Sequence, residues 1–338
     1  MGLPLRDLVR PRSVPWSELS GRSLAVDGYN ALYQFLATIR QADGQLFSDA
    51  NGAVTSHLMG TLYRTTSLLA EGVLPVWVFD GRPPDLKAAT LSARFRVKER
   101  AETEWKEALA AGDLETARRK AAATSHLTRP MVEEVRRLLE ALGVPSIAAP
   151  SEGESQAAFL AARGRVWGVA SEDYDSLLFG APRLVRGLAA RGSRGSTPAA
   201  QLIDRAELLE ELGLSEEELI LVGVLIGTDF NDGAKGIGPK RALKLAQRHL
   251  GTDASLREAG LDPEGLAPVL ELFRHPDVAD VEVPSFGPIR AEELRSLLVE
   301  GHGFSEERVR AAIARAQHRP PPRPEPPAPG RQTVLETY

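Results

Sequence analysis

The sequence predicts an α/β fold with a mostly parallel central sheet flanked by helices. Three observations predict it: short buried-type runs rich in β-branched and aromatic residues, long helical patterns between those runs, and an acidic residue at the end of each run. The runs are Leu24-Ala25-Val26, Val76-Trp77-Val78-Phe79, Val144 to Ala148 and Val166 to Ala170. Thr128 to Leu142 is the clearest helix, with Met131, Val132, Val135, Leu138, Leu139 and Leu142 on one face and Glu133, Glu134, Arg136 and Arg137 on the other. Strands alternating with helices imply right-handed crossovers and parallel pairing.

Between the second and third runs lies a polar, helix-prone insert, residues 84–130, rich in Arg, Lys, Glu and Ala. Too poor in large apolar residues to bury a full face, it is expected to project from the sheet as a helical arch; a solvated helical hairpin is the alternative. Residues Glu216 to Ile226 and Pro239 to Leu250 read as two helices joined by a glycine-rich loop. Arg319 to Gly330 holds seven prolines and reads as an extended linker, followed by the short tail RQTVLETY. One domain over residues 1–318, a linker over 319–331 and a docking peptide over 332–338 is the expected organisation.

At 338 residues and 43% hydrophobic content, the chain can form one large core or two ordinary ones. The longest apolar run, Leu219 to Gly227, is too short to span a bilayer, and MGLPLRDLVRPRS carries charges where a signal peptide needs an apolar stretch. With no cysteine there are no disulfides, thiolate metal sites or cysteine nucleophiles, which suits an intracellular protein. A net charge of −5 gives no general attraction to nucleic acid, but charge is uneven. Basic residues outnumber acidic ones from Arg82 to Arg137, and Lys235 to Arg248 contains no acid.

Acids end every predicted strand: Asp27 after LAV, Asp80 after VWVF, Glu152 and Glu154 after IAAPS, Asp173 and Asp175 after GVASE. Ligands of open parallel sheets bind beyond the carboxyl ends of the strands. Six acids there repel one another unless cations intervene. A donor set of Asp and Glu alone favours Mg²⁺ or Mn²⁺ over zinc, and two such ions roughly 4 Å apart serve phosphodiester hydrolysis. Each acid also has a structural reading: Ser151 with Glu154 fits a capping box, Asp173 a helix N-cap, and Asp27 a turn before Gly28. Repetition at four strand ends favours the metal reading.

The segments VDGYNALYQFL, TSHLMGTLYRT, PVWVFDGRPPDLK, APSEGESQAAFLA, SEDYDSLLFGAPRLVR and GTDFNDGAKGIGPKRAL resemble the successive motifs of the structure-specific flap endonucleases, in family order. The likeness runs from Gly2 to about Ala314, and QTVLETY resembles that family's sliding-clamp peptide. The resemblance implies a 5′ nuclease of flapped DNA, with 5′–3′ exonuclease activity, acting in lagging-strand maturation and base-excision repair. By position it implies two Mg²⁺ ions, replaceable by Mn²⁺, held by Asp27, Asp80, Glu152, Glu154, Asp173, Asp175 and also Asp229; strand-end logic alone does not find Asp229, which follows a helix.

Lys87 and Arg94 match the family's catalytic cations; seven residues apart, they share one helix face. A solvated basic face is their other reading. Tyr33, which would otherwise read as core, matches an aromatic that stacks a base; Arg94, Arg96, Lys98 and Arg100 are expected to draw the single strand toward or through the arch, and Arg40 to contact DNA. Gly236, Gly238, Lys240, Arg241 and Lys244 resemble the helix-hairpin-helix-type element that grips duplex backbone, where the family holds K⁺. Thr55, Phe304 and Arg308 match contacts to a one-nucleotide 3′ flap, and Gln332, Leu335 and Tyr338 the clamp plug.

Two departures stand out. The clamp peptide normally ends in two adjacent aromatics, whereas only Tyr338 is present, and the basic region of eukaryotic relatives is missing. The second favours an archaeal-type, cytoplasmic member over a nuclear one. Phe230 stands where the family usually has tyrosine. Rival readings are a Holliday-junction resolvase or repair incision nuclease of the same superfamily, and a non-catalytic junction binder tethered to a clamp. An Asp-x-Asp phosphatase fails at Val26-Asp27-Gly28-Tyr29, which lacks the second acid. With no unexplained apolar helix face, a monomer is expected.

Overall fold

Seven strands, β1 (Arg12–Pro15), β2 (Ser23–Asp27), β3 (Leu74–Phe79), β4 (Ser146–Ala148), β5 (Gly168–Ala170), β6 (Arg183–Arg186) and β7 (Ala199–Asp204), form one sheet in the order β1-β7-β6-β5-β2-β3-β4. The computed structural model describes residues 5–187 and 199–317; Gln332, Leu335, Tyr338 and the proline-rich segment lie outside them. β2, β3, β4, β5 and β6 pair in parallel, whereas β7 pairs antiparallel with both β6 and β1. All four predicted strands are present. The run at Val144 enters the sheet only at Ser146, since Pro145 lacks the N–H a ladder needs.

Period-two alternation sends neighbouring side chains of the central strands to opposite layers. Leu24, Val26, Trp77 and Phe79 face one, where they meet α1 (Gly28–Thr38), α2 (Ser56–Ala70), α5 (Arg129–Ala141), α13 (Ala291–Arg295) and α14 (Glu306–Ala316). Ala25, Val76, Val78 and Val169 face the other, under α6 (Gly153–Ala162), α7 (Asp175–Leu178), α8 (Arg205–Leu212), α9 (Glu216–Ile226), α10 (Pro239–Ala246), α11 (Thr252–Glu258) and α12 (Pro263–Arg274). Both faces of the parallel strands are therefore covered, which is why those strands read as unbroken apolar runs.

The insert forms α3 (Ala88–Ala110) and α4 (Leu114–Ala121), an antiparallel pair turned at Gly112, whose φ is +74°. It returns to the body. Trp105 Nε1 donates to the Asp43 carbonyl at 3.3 Å, Ala117 and Ala121 are fully buried, and a Cβ on Gly44 would meet the Ala121 Cβ at 2.7 Å. The arch is thus anchored at both its base and its far limb, with its outer surface in water.

Several local expectations change. α10 ends at Ala246 and not Leu250, because His249 adopts φ +52° and Gly251 φ +85°, which no α-helix accommodates. Ser151 forms no capping box: Glu152 is the N-cap of α6, without a side-chain cap bond, and Glu154 accepts from the Ser176 N–H at 2.8 Å. Asp173 is not the N-cap residue of α7, which is Tyr174, although its Oδ1 accepts from the Asp175 N–H at 3.3 Å at the start of that helix.

Candidate active site

The carboxylates converge where the parallel strands end. Asp27 is the last residue of β2 and caps α1, its Oδ1 accepting from the Asn30 N–H at 3.0 Å and its Oδ2 from Ser171 Oγ at 3.2 Å. The structural reading of Asp27 therefore holds in the form of a helix cap before Gly28, and its carboxylate still lies at the sheet end among the other acids. Asp80 follows β3 and accepts from the Gly153 N–H at 2.8 Å; a Cβ on Gly153 would stand 2.6 Å from that carboxyl oxygen. Only glycine permits this approach, so the start of α6 carries Glu152 and Glu154 directly against the β3 terminus.

Glu154, Asp173 and Asp175 each present one oxygen within 4.8 Å of the others, the only acidic trio so close among the described residues. Asp229 reaches the same centre from the loop after α9. That loop is pinned by Thr228 Oγ1 to Asn231 Oδ1 at 2.9 Å and by Asn231 Nδ2 donating to the Val224 carbonyl at 2.8 Å.

Burial, then mutual repulsion, shifts these acids upward. Burial and the Asp173 charge raise Asp27 to about 6, against the pull of the Asn30 N–H, Ser171 and Lys87. Burial, Asp27 and Glu152 raise Asp80 to about 7. Glu154 and Asp175 are pushed well above the carboxylate range by burial and by Asp173. These interactions, together with Asp229 acting on Asp175, bind all seven acids into one electrostatic unit.

Two cations enter this unit. Lys87, from the short 3₁₀ turn Asp85–Lys87 at the arch base, contacts Glu152 and lies 3.5 Å from Asp229. Burial works to lower the Lys87 pKa, but Glu152 and Asp229 outweigh it, and the ammonium is held above the ordinary lysine range. Its Nζ also stands 5.8 Å from the centre of the Phe230 ring, which packs edge-on against Phe179 and Phe273. Arg94, two turns further along α3, bonds Asp229 at 2.5 Å. The face predicted from their spacing is therefore turned onto the acids and is not a solvated one.

An all-oxygen donor set suits a hard divalent cation. The structure adds one specific sign of fit: Asp175 Oδ1 is buried with no hydrogen-bond partner, a costly state that a cation would relieve. A pH dependence follows. Asp27 and Asp80 have folded pKa values above the unfolded 3.8, so between about pH 4 and 7 the folded chain binds more protons than the unfolded one. Stability without metal should therefore fall as pH rises through that window, while Mg²⁺ affinity rises. Thermal melts in EDTA and calorimetric titrations at about pH 5 and 8 check both signs; a higher melting temperature at the upper pH in EDTA contradicts the first.

The other predicted contacts surround this centre. Tyr33 is 37% exposed, not core, and the Lys98 ammonium lies 4.5 Å from its ring centre. Arg96 and Arg100 are exposed on α3. Arg40 spends its guanidinium internally, donating to the Leu36 and Gly44 carbonyls and to Ser125 Oγ, so it ties α1 to the far limb of the arch. Gly236, with φ +78°, and Gly238, the N-cap of α10, both have open space at the Cβ position, and Lys240, Arg241 and Lys244 are exposed beside them.

Thr55 is the buried N-cap of α2, Phe304 is half-buried against the same layer, and Arg308 is exposed on α14, which packs on α2. Sequence reasoning missed a network that joins the start of α2 to the segment before α14. His57 bonds Glu134 at 3.1 Å, and His302 bonds Asp49 at 2.9 Å and lies 3.6 Å from Glu134. No short-range spacing could reveal this group, since its members come from four separate segments. The bond from His302 holds the Asp49 carboxyl below its usual range.

Residues 4–102 match the XPG N-terminal domain and residues 143–229 the XPG I-region. Flap endonuclease 1 of Aeropyrum pernix is 46% identical over 330 residues, covering 93% of this chain and 94% of that one. Flap endonuclease 1 of Pyrococcus horikoshii is 41% identical over 348 residues, covering 100% and 98%. The solved flap endonuclease-1 from Methanococcus jannaschii superposes with a TM-score of 0.76 at 38% identity, covering 93% of this chain and 98% of that one. The carboxylate centre, the basic arch base and these full-length likenesses agree: the chain belongs to the flap endonuclease 1 family of structure-specific nucleases.

Proposed function

We propose that this chain hydrolyses a phosphodiester at the base of a single-stranded 5′ flap on branched DNA, with 5′–3′ exonuclease action at the same centre. Lagging-strand (Okazaki fragment) maturation and base-excision repair are the processes this serves. One observation carries the reading: seven acids from five chain segments meet beyond the carboxyl end of a parallel sheet, under an arch base whose cations Lys87 and Arg94 reach into them.

Asp27, Asp80, Glu152, Glu154, Asp173, Asp175 and Asp229 would hold two Mg²⁺ ions, with Mn²⁺ able to replace them. When bound, the ions supply Lewis-acid charge to the phosphate oxygens and lower the pKa of the attacking water. Lys87 and Arg94 leave their carboxylate partners to meet the scissile phosphate, where they offset charge that develops in the transition state. Tyr33 presents its ring to an unpaired base, and Arg96, Lys98 and Arg100 draw the strand toward the arch. The α10 element, through Gly236, Gly238, Lys240, Arg241 and Lys244, grips duplex phosphates, with K⁺ in its hairpin. Such contacts position DNA without reading its sequence, as a structure-specific enzyme requires. Thr55, Phe304 and Arg308 receive a one-nucleotide 3′ flap, beside the His57–Glu134–His302–Asp49 network, whose two histidines stand two residues from Thr55 and from Phe304.

The test is a labelled double-flap DNA incubated with Mg²⁺ and, separately, with EDTA. Cleavage near the flap base that stops in EDTA is expected; metal-independent cutting rejects the mechanism. Residues 332–338 are proposed to tether the enzyme, a monomer, to a sliding clamp. Deleting Gln332 to Tyr338 should leave cleavage by the free enzyme intact and remove stimulation by the clamp. Stimulation that survives the deletion rules the tether out.

A further inference from the structure

Four of the eight large apolar side chains exposed among the described residues fall within one short stretch: Leu86, Leu91, Phe95 and Val97 are 38%, 42%, 55% and 62% exposed. A single exposed leucine needs no explanation, but a cluster that includes a half-exposed phenylalanine on a polar helix does. Over Ala88 to Arg100, α3 carries four cations, Arg94, Arg96, Lys98 and Arg100, against one acid, Glu99. Leu91 and Phe95 are four residues apart and form one strip. That strip borders the row Lys87, Arg94 and Lys98, whose last ammonium lies over the Tyr33 ring. Phe95 is three residues from Lys98, hence its neighbour on the helix surface.

We propose that Phe95, supported by Leu91, is a stacking platform for an unpaired base of the 5′ strand one step beyond Tyr33; this rests on the flap reading above. The occupant follows from the chemistry of the surround. An aromatic face set among cations, with water on its outer side, matches a single-stranded nucleic acid, which offers π-faces and phosphates at a regular spacing. A helix face meant for another protein would not need four cations beside two apolar side chains. Phe95 makes no contribution to the core, so its replacement leaves the fold intact.

Binding is measured with Ca²⁺ in place of Mg²⁺, so that DNA is not consumed, using a flap of normal nucleotides, the same flap with abasic sites, and flapless nicked duplex. Phe95→Ala should weaken binding of the normal flap by about tenfold and leave the abasic flap and the nicked duplex unchanged. Phe95→Trp should restore wild-type affinity. Equal losses with normal and abasic flaps, or no loss with either, overturn the stacking assignment alone. A wild-type protein that binds flapped and flapless DNA equally overturns the flap reading and this assignment together.

Discussion

Asp175→Asn is expected to lower flap cleavage by at least about 10³-fold, roughly 4 kcal/mol of transition-state stabilisation, while raising the melting temperature of the metal-free protein. The two effects share one cause. Asp175 is 2% exposed, its Oδ1 has no partner, and Asp173 and Asp229 press their charges on it. Asparagine keeps the shape and removes the charge, so the metal-free fold loses a repulsive, desolvated anion, a gain of about 1 kcal/mol. With saturating Mg²⁺ the order should reverse, because only the wild type recovers stability through ligand binding. Melts in EDTA and in Mg²⁺, beside single-turnover cleavage, check all three statements. A variant less stable than wild type in EDTA would show that Asp175 is a structural acid and not a ligand held at the fold's expense.

Such an acid is legible in sequence because function here conflicts with folding. Asp80 after VWVF and Asp175 after GVASE stand where burial is costly, and repetition at four strand ends gives the pattern weight. The central parallel strands were equally legible, since coverage on both faces makes them continuous apolar runs. β1, β6 and β7 were not. Arg183–Arg186 pairs in parallel with β5 and is buried on both faces, but only Leu184 and Val185 stand between its two arginines, too short a run to mark a strand; Arg12–Pro15 and Ala199–Asp204 form the antiparallel edge, where exposed residues interrupt the buried ones.

Asp229 shows a different limit. It lies in a loop after α9, so no strand periodicity points to it, and it reaches the centre only because the Thr228–Asn231 bridge folds that loop back. Long-range pairs are least visible of all. Nothing near Glu134 announces His57, 77 residues earlier, or His302, and the exposure of Phe95 cannot be read from a helical pattern whose face is unknown until α3 is docked.

Lys87→Met should separate metal binding from catalysis. In the metal-free protein the Lys87 ammonium contacts Glu152 and stands 3.5 Å from Asp229, and both acids are implied metal ligands. Ammonium and divalent cation therefore compete for the same oxygens. Methionine keeps most of the side chain's length and its packing over Phe230 while deleting the charge. Removing a positive charge from among seven acids should tighten Mg²⁺ binding by about tenfold, since one unit charge at 4 Å is worth about 1 kcal/mol even in water and more where water is scarce. Cleavage should nonetheless fall by about 10²–10³-fold, because the cation that would meet the developing phosphate charge is gone. The metal-free melting temperature should drop as well, since Glu152 loses its buried counterion, and Mg²⁺ should restore it. Calorimetric Mg²⁺ titration and single-turnover cleavage at saturating metal give the two halves of the result. Weaker metal binding in the variant would mean that Lys87 organises the carboxylates and does not compete for them; unchanged cleavage would remove it from the reaction.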